Sequence, residues 1–391
     1  MTTRSLLSSS APDAAVGAAR GINVVGYLHS ETGVGEAARL LVRALRHRGY
    51  AVACTTVHSP DGSRQLDRTA GPITGTAVHD TTLVCVNASE VPAVQRELGP
   101  AFFAGRYNIG VWFWELDTFP GDEPALHAFD EIWCGSAFVQ RAIAAVARVP
   151  VVNVGVPVVP PVDSASARHA LGLPADRHTV LFAFDALSVI ERKHPLGVVE
   201  AYRRAFGSRS ARTQLVIKAS RLELFPAEHA ALRAAVAAVG GLLLDHYLDR
   251  TALGALFHAC DTYISLHRSE GFGLTMAEAM SIGKAVVATG WSGNLDFMTP
   301  ANSRLVRWTP TILDRAAGPY PAGSRWADAD LDDAAAHLCD LRHRPDVAVS
   351  LGRRGAAELA TTHGLAAVGD RIASRLAAVH RHRQHGSHRW A

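Results

Sequence analysis

The stretch Ser269-Glu270-Gly271-Phe272-Gly273-Leu274-Thr275-Met276-Ala277-Glu278-Ala279-Met280 decides the fold. It follows a short apolar run, Thr262 to Ser265, that reads as a buried strand, and it leads into the helical spacing of Thr275 to Ile282. Gly271 and Gly273 let the backbone approach a ligand closely. A helix beginning near Thr275 aims its free N–H groups at the same place. Strand, glycine loop and helix together form the repeating unit of an open α/β sheet, where ligands bind at the C-terminal ends of the strands. Glu270 and Glu278 are eight residues apart, and carboxylates accept hydrogen bonds from sugar or ribose hydroxyls. Thr275-x-x-Glu278 also matches a capping box, in which Glu278 would only satisfy backbone donors. The sequence leaves both readings of Glu278 open.

The alternation extends outward from this loop. Strands are expected at Thr179 to Phe184, Gln214 to Lys218, Leu242 to Asp245 and Ala285 to Ala288, with helices at Pro195 to Phe206, Ala227 to Val239 and Leu253 to Ala259. Arg192 and Lys193 sit in the loop after the first of these strands, just before a helix, a combination that suits a phosphate or diphosphate. A linker with Pro157, Pro160 and Pro161 spans Gly155 to Ser166. Before it lies a second α/β unit, with strands at Gly21 to Leu28, Tyr50 to Val57, Thr82 to Asn87, Tyr107 to Trp114 and Val149 to Val154. Its helices are Glu36 to Arg48 and Ala137 to Val146. Gly33 to Ala38 fits the dinucleotide fingerprint G-x-G-x-x-A, but His29 to Thr32 separates Gly33 from the strand. The second strand ends Cys54-Thr55-Thr56-Val57, with no acid to hold a ribose. What remains is a glycine pair at a helix N-terminus, either an anion site or a tight turn.

Composition excludes several classes. At 391 residues the chain is long enough for two domains. With 39 basic and 36 acidic residues, it carries no basic excess that points to nucleic acid. Only Lys193, Lys218 and Lys284 among those basic residues are lysines, so a position that keeps lysine draws notice. No apolar run reaches the ~18–20 residues of a membrane span. Residues 1–20 lack the apolar core of a secretory signal and read as a disordered tail. Cys54, Cys85, Cys134, Cys260 and Cys339 are scattered, with no metal-site spacing, as expected of reduced thiols in the cytoplasm.

The run from Ala259-Cys260-Asp261 through Glu270-Gly271-Phe272-Gly273-Leu274 and Glu278-Ala279-Met280 to Gly283-Lys284-Ala285-Val286-Val287-Ala288-Thr289 resembles the E-x7-E region of retaining, nucleotide-sugar glycosyltransferases of family 4. Arg192-Lys193 is similar to that family's basic pair, and Gly33-Val34-Gly35 to its N-terminal glycine loop. The resemblance implies an α/β GT-B fold, two Rossmann-like domains facing an interdomain cleft. Residues 21–160 would bind the acceptor and residues 161–365 the nucleotide sugar, with a C-terminal helix and tail over 366–391. It implies a UDP- or GDP-type sugar donor, no cofactor and no metal. Glu270 would meet the donor sugar's hydroxyls, and Glu278 the ribose. The backbone of Gly271, Phe272, Gly273, Leu274 and Thr275 would line the sugar and diphosphate, Arg192 and Lys193 would neutralise the diphosphate, and Tyr247-Leu248 would bind the base.

The family's usual N-domain histidine is replaced by Trp112-Phe113-Trp114-Glu115, as in a branch carrying W-x-W-E. Glu115 is a candidate for the vacated polar role. Trp112 and Trp114 are either sugar-stacking or core residues, and His29 and Asp117 complete the acceptor-side candidates. Tyr107 to Gln140 has no Lys or Arg but six acids: Glu115, Asp117, Asp122, Glu123, Asp130 and Glu131. This acidic run suggests a cationic small-molecule acceptor such as an amino sugar or amine-bearing natural product. The rival acceptor is a surface glycan or lipid-linked sugar, approached through a basic helix bearing Arg39, Arg43, Arg46 and Arg48. A nucleotide-sugar-binding protein without transfer activity is the non-enzymatic alternative.

Overall fold

The computed structural model describes residues 20–121, 123–162, 168 and 171–386. The expected tail before residue 20, Asp122, linker positions 163–166 and the last residues, 387–391, lie outside the described residues. Two six-stranded parallel sheets build the molecule. The first comprises β1 (Gly21–Gly26), β2 (Ala51–Thr56), β3 (Thr81–Cys85), β4 (Tyr107–Trp112), β5 (Glu131–Cys134) and β6 (Val151–Asn153), in the order β2-β1-β3-β4-β5-β6. The second comprises β7 (His178–Asp185), β8 (Thr213–Ser220), β9 (Leu242–Leu244), β10 (Thr262–Ser265), β11 (Ala285–Thr289) and β12 (Arg304–Val306), in the order β12-β11-β10-β7-β8-β9. Helices cover the faces, so the central strands are apolar on both sides; β10 and β11 are buried throughout. This is the two-domain GT-B architecture.

The strand order positions the site. In the second sheet the chain runs outward from β7 through β8 and β9, then returns to β10 on the other side of β7. The loops after β7 and β10 therefore diverge around a topological switch point, where open α/β sheets bind ligands. β1 and β3 form the same kind of crevice in the first sheet.

Three features depart from the sequence analysis. The strand Glu131–Cys134 lies within the acid-rich run. A hairpin of β13 (Trp308–Ile312) and β14 (Arg325–Ala329) follows the second sheet. Its residues Tyr320 and Trp326 form a small core with Leu116 of the first half. The last helix, Leu365–Gly386, crosses back and contributes Val368, Ile372 and Leu376 to the core of the first sheet. Arg375 on this helix forms a two-pronged ion pair with Glu131, at 2.7 and 2.6 Å.

Candidate active site

A cleft of about 630 Å³ separates the halves and is lined from both. On the second half, Arg192 and Lys193 end the short helix Ile190–Lys193 after β7, and Glu270 lies in the loop after β10. The three side chains meet across the switch point. Arg192 approaches Glu270 Oε2 at 3.2 Å, and Lys193 Nζ donates to Glu270 Oε1. Arg192 is buried and fixed from behind, donating to the Ser269 carbonyl at 2.6 Å. Burial opposes ionisation of Glu270, but Lys193 and Arg192 outweigh it and hold the carboxyl down at about 2. Burial, helped by Arg192, holds Lys193 below the usual lysine value despite the attraction of Glu270. The cluster is thus two cations around one carboxylate, leaving positive charge for a further anion. His194 and Pro195, which open the following helix, do not line the cleft; the two cations do.

The loop after β10 is tightly held. A Cβ on Gly271 would come within 2.8 Å of the Trp114 carbonyl oxygen of the other half. Gly273, at φ +94°, is the N-cap of the helix Leu274–Ser281. Thr275 therefore lies inside the helix, and no side chain caps its start. This removes the capping-box reading of Glu278. Its carboxyl instead lines the cleft, 3.8 Å from Arg250 Nη2. Burial, reinforced by Glu36 and only partly relieved by Arg250, pushes Glu278 up to about 7. Arg250 is held more closely by Glu36 of the first half, at 2.7 Å.

On the first half, Thr32 caps the helix Gly33–His47 by accepting from the Gly35 N–H. Gly33 faces open space in the cleft lining. Gly35 is packed, because a Cβ there would sit 2.5 Å from the Ser30 carbonyl. Leu248 and Tyr247 line the cleft beyond β9, with Arg64 of the first half stacked 3.9 Å over the Tyr247 ring.

The structure does not gather every expected residue. Trp112 is fully buried, stacked on Phe119 at 5.8 Å, so it is a core residue with no face for a sugar. Trp114 packs its ring against Phe119 and Tyr320 and donates to the Thr118 carbonyl; it does not line the cleft. Asp117 is paired with Arg325 of the hairpin, outside the cleft lining. His29 is also outside it, and burial together with Arg68 lowers its pKa. Among the described acids of that run, Glu115 alone lines the cleft. The others are structural: Asp130 accepts from Asn108 N, Glu123 from Ala125 N, and Glu131 sits inside the first half among Arg375, Trp133 and Tyr107. The acidic wall is nevertheless present and comes from other segments of the first half. Glu31, Glu36, Asp61, Asp67 and Glu90 line the first-half wall with Glu115. Among the described residues Glu90 and Glu115 form no ion pair. Of the four arginines on the basic helix, Arg43 is half-buried and Arg46 exposed. Arg39 is buried against Glu36 and Asp67, Arg46 donates to the Ala70 carbonyl, and Arg48 pairs with Asp370.

Sequence reasoning missed Tyr320, whose hydroxyl donates to Glu115 Oε2 at 2.9 Å inside the cleft. Burial and Glu115 push its pKa far up, so it stays a phenol donor. The cue was present in Gly318-Pro319-Tyr320-Pro321, an aromatic pinned between prolines.

Residues 240–309 match the family described as Glycosyl transferases group 1. No curated protein matches the chain. Solved structures do: HepE of Anabaena in complex with UDP and glucose has a TM-score of 0.65 at 15% identity, covering 92% of this chain and 100% of that one. Sucrose-phosphate synthase from Thermosynechococcus elongatus has a TM-score of 0.62 at 15% identity, covering 93% and 99%. The pneumococcal O-GlcNAc transferase GtfA in complex with UDP and GlcNAc has a TM-score of 0.54 at 15% identity, covering 76% and 56%. The segment that carries Glu270 and Glu278 is thus the part that matches a glycosyltransferase family, and it sits in a GT-B fold. Among the described residues no helix is long and apolar enough to cross a membrane.

Proposed function

We propose that the protein is a retaining, metal-independent glycosyltransferase that moves a sugar from a UDP- or GDP-type donor to an acceptor hydroxyl. The observation that carries this reading is the meeting of Arg192, Lys193 and Glu270 across the switch point, at the head of the helix bearing Glu278. Breaking the sugar–phosphate bond leaves negative charge on the diphosphate. Two fixed cations supply the stabilisation that a metal supplies elsewhere, without reorganising at the moment of reaction. Glu270, ionised at every physiological pH, accepts from sugar hydroxyls and is too weak a base to take the acceptor's proton. In this scheme the acceptor oxygen bonds to the anomeric carbon on the face that the phosphate leaves. The departing phosphate oxygen takes the proton, so configuration is retained. Glu278 accepts from the ribose hydroxyls, and the backbone at Leu248 reads the base.

Glu90 and Glu115 on the opposite wall, which form no ion pair among the described residues, support an acceptor that is rich in hydroxyls and positively charged, such as an amino sugar or an aminated natural product. Thermal melting with UDP-, GDP- and TDP-sugars tests the donor, since a ligand of the folded state raises the midpoint. Transfer to aminated and neutral acceptors, with and without chelator, and the anomeric configuration of the product test the rest. We expect a shift with one donor class, chelator-resistant transfer with retention, and a salt-sensitive preference for the aminated acceptor. No shift with any nucleotide sugar or nucleoside diphosphate would overturn the donor assignment.

A further inference from the structure

The three lysines of this arginine-rich chain have different surroundings. Lys193 pairs with Glu270. Lys284 donates to the His258 and Cys260 carbonyls at 2.7 and 2.8 Å and is a structural tie. Lys218 is 4% exposed, lines the cleft, and has one hydrogen-bond partner, the neutral Ser220 hydroxyl at 2.6 Å. Among the described residues no carboxylate lies within ion-pair distance of it. The carboxylate that acts on it most, Asp185, is taken up by Arg221, and also accepts from the Leu187 N–H at 3.0 Å. A buried ammonium is a donor with three N–H bonds, and leaving two unused is costly. Burial accordingly lowers its pKa to about 8.

Its place in the sheet indicates what it serves. Lys218 lies on β8, in register with Ala183 of β7 on one side and Leu244 of β9 on the other. The loop after β7 carries the Arg192–Lys193 pair, and the loop after β9 carries Tyr247 and Leu248. Lys218 thus stands between the diphosphate cations and the base-proximal loop, on the nucleoside side of a phosphate site that already has two cations.

We propose that Lys218 is a base-specificity residue: its ammonium donates to a carbonyl oxygen of the donor's nucleobase, selecting keto-bearing bases such as uracil or guanine over amino-bearing cytosine or adenine. The inference rests on the nucleotide-sugar reading above. At the exocyclic position that separates these bases, uracil O4 and guanine O6 accept a hydrogen bond. The cytosine and adenine amino groups instead point N–H bonds at the cation. Of the three lysines, this is the one that lines the cleft with donors to spare and, among the described residues, no carboxylate in ion-pair contact.

The test is calorimetric titration of the full chain with UDP, CDP, GDP and ADP, comparing the native protein with Lys218→Met. The keto member of the better-fitting pair, UDP over CDP or GDP over ADP, is expected to bind about 10–100-fold more tightly to the native protein, the range for a hydrogen bond to a charged group. In Lys218→Met its affinity falls by about that factor, the amino partner's affinity changes little, and the apo melting midpoint holds or rises, because an under-partnered buried charge is gone. An equal loss for all four nucleotides would place Lys218 on the phosphates and overturn the inference. So would an unchanged keto preference, including one that accompanies a lowered melting midpoint. If none of the four binds the native protein, the donor reading itself fails, an outcome distinct from the other two.

Discussion

Glu278 is a carboxyl that the fold holds back from ionising. An unfolded glutamate releases its proton near 4.5, while this one keeps it to about 7, through burial and then the charge of Glu36. Between those values the folded state binds more protons than the unfolded chain. The contribution of this group to stability is therefore full below about 4.5 and falls as the pH rises through 7. Glu278→Gln mimics the protonated form, so it should gain melting temperature relative to the native protein at pH 8 and gain little at pH 5. Melting curves at the two pH values decide the point. Because ribose hydroxyls bind best to a carboxylate, native nucleotide affinity should improve from pH 6 to 8, and this improvement should disappear in Glu278→Gln. Glu270 behaves oppositely. It stays ionised, and removing its charge strands two buried cations, a loss of about 3–5 kcal/mol. Lys193→Met is the milder probe, since Arg192 remains to balance Glu270. It should lower turnover by about two orders of magnitude, the range for one electrostatic group lost at a reacting centre, while circular dichroism stays native. Native-like turnover would remove Lys193 from the diphosphate.

At the scale of elements, the hairpin β13–β14, which starts at the very end of the matched family segment 240–309, joins the second half to the wall of the first. It places Tyr320 on Glu115 and Arg325 on Asp117, so a piece of the second half completes the wall of the first. Tyr320→Phe keeps the ring in its aromatic packing and removes the hydroxyl. Turnover should fall about tenfold, with nucleoside-diphosphate affinity unchanged; a loss of nucleotide binding would instead tie the hairpin to the donor. The same element shows where the sequence was legible. Apolar runs at β7, β8, β10 and β11 are unambiguous because helices cover both faces of the sheet. Glycine loops are legible because backbone must approach backbone, as Gly271 approaches Trp114. β5 was hidden by Glu131, a charge inside a strand that is intelligible only once Arg375 arrives from 244 residues away. β13 was hidden by Pro310 and its largely exposed residues, which make it read as loop. Helix Leu331–His343 shows half of its buried face through alanines, a weak apolar signal. Arg192, Lys193, Glu270 and Glu278 stood out by spacing, whereas Glu90 carried no sequence signal, Lys218 only the rarity of lysine and Tyr320 only its flanking prolines; the topology brings these three to the cleft.

For the whole molecule, ion pairs bridge the cleft beside the proposed nucleotide site. Arg221 links Asp185 to Asp61 of the first half, and Arg250 links to Glu36, both across the gap. At the opposite side, Asp296 of the second half accepts from the Ala137 N–H at 2.8 Å, setting a negative charge at the N-terminus of the helix Ala137–Ala144. The paired variant Asp61→Asn, Glu36→Gln removes the acidic partners of both clasps. Stopped-flow nucleotide association should become faster and lose part of its dependence on ionic strength; an unchanged rate would show that the entrance lies elsewhere. Arg375→Ala tests the return crossing. It leaves Glu131, whose side chain is 0% exposed, without its countercharge, so about 3–5 kcal/mol of stability should be lost, read as a drop in the melting temperature. That crossing also imposes an order on biosynthesis. The half translated first cannot close its own core until Val368, Ile372 and Leu376 have left the ribosome, roughly 10–45 s after residue 160 at about 5–20 residues per second. The nascent first half therefore waits with an uncovered apolar groove while its partner is made, and what is begun first is finished last.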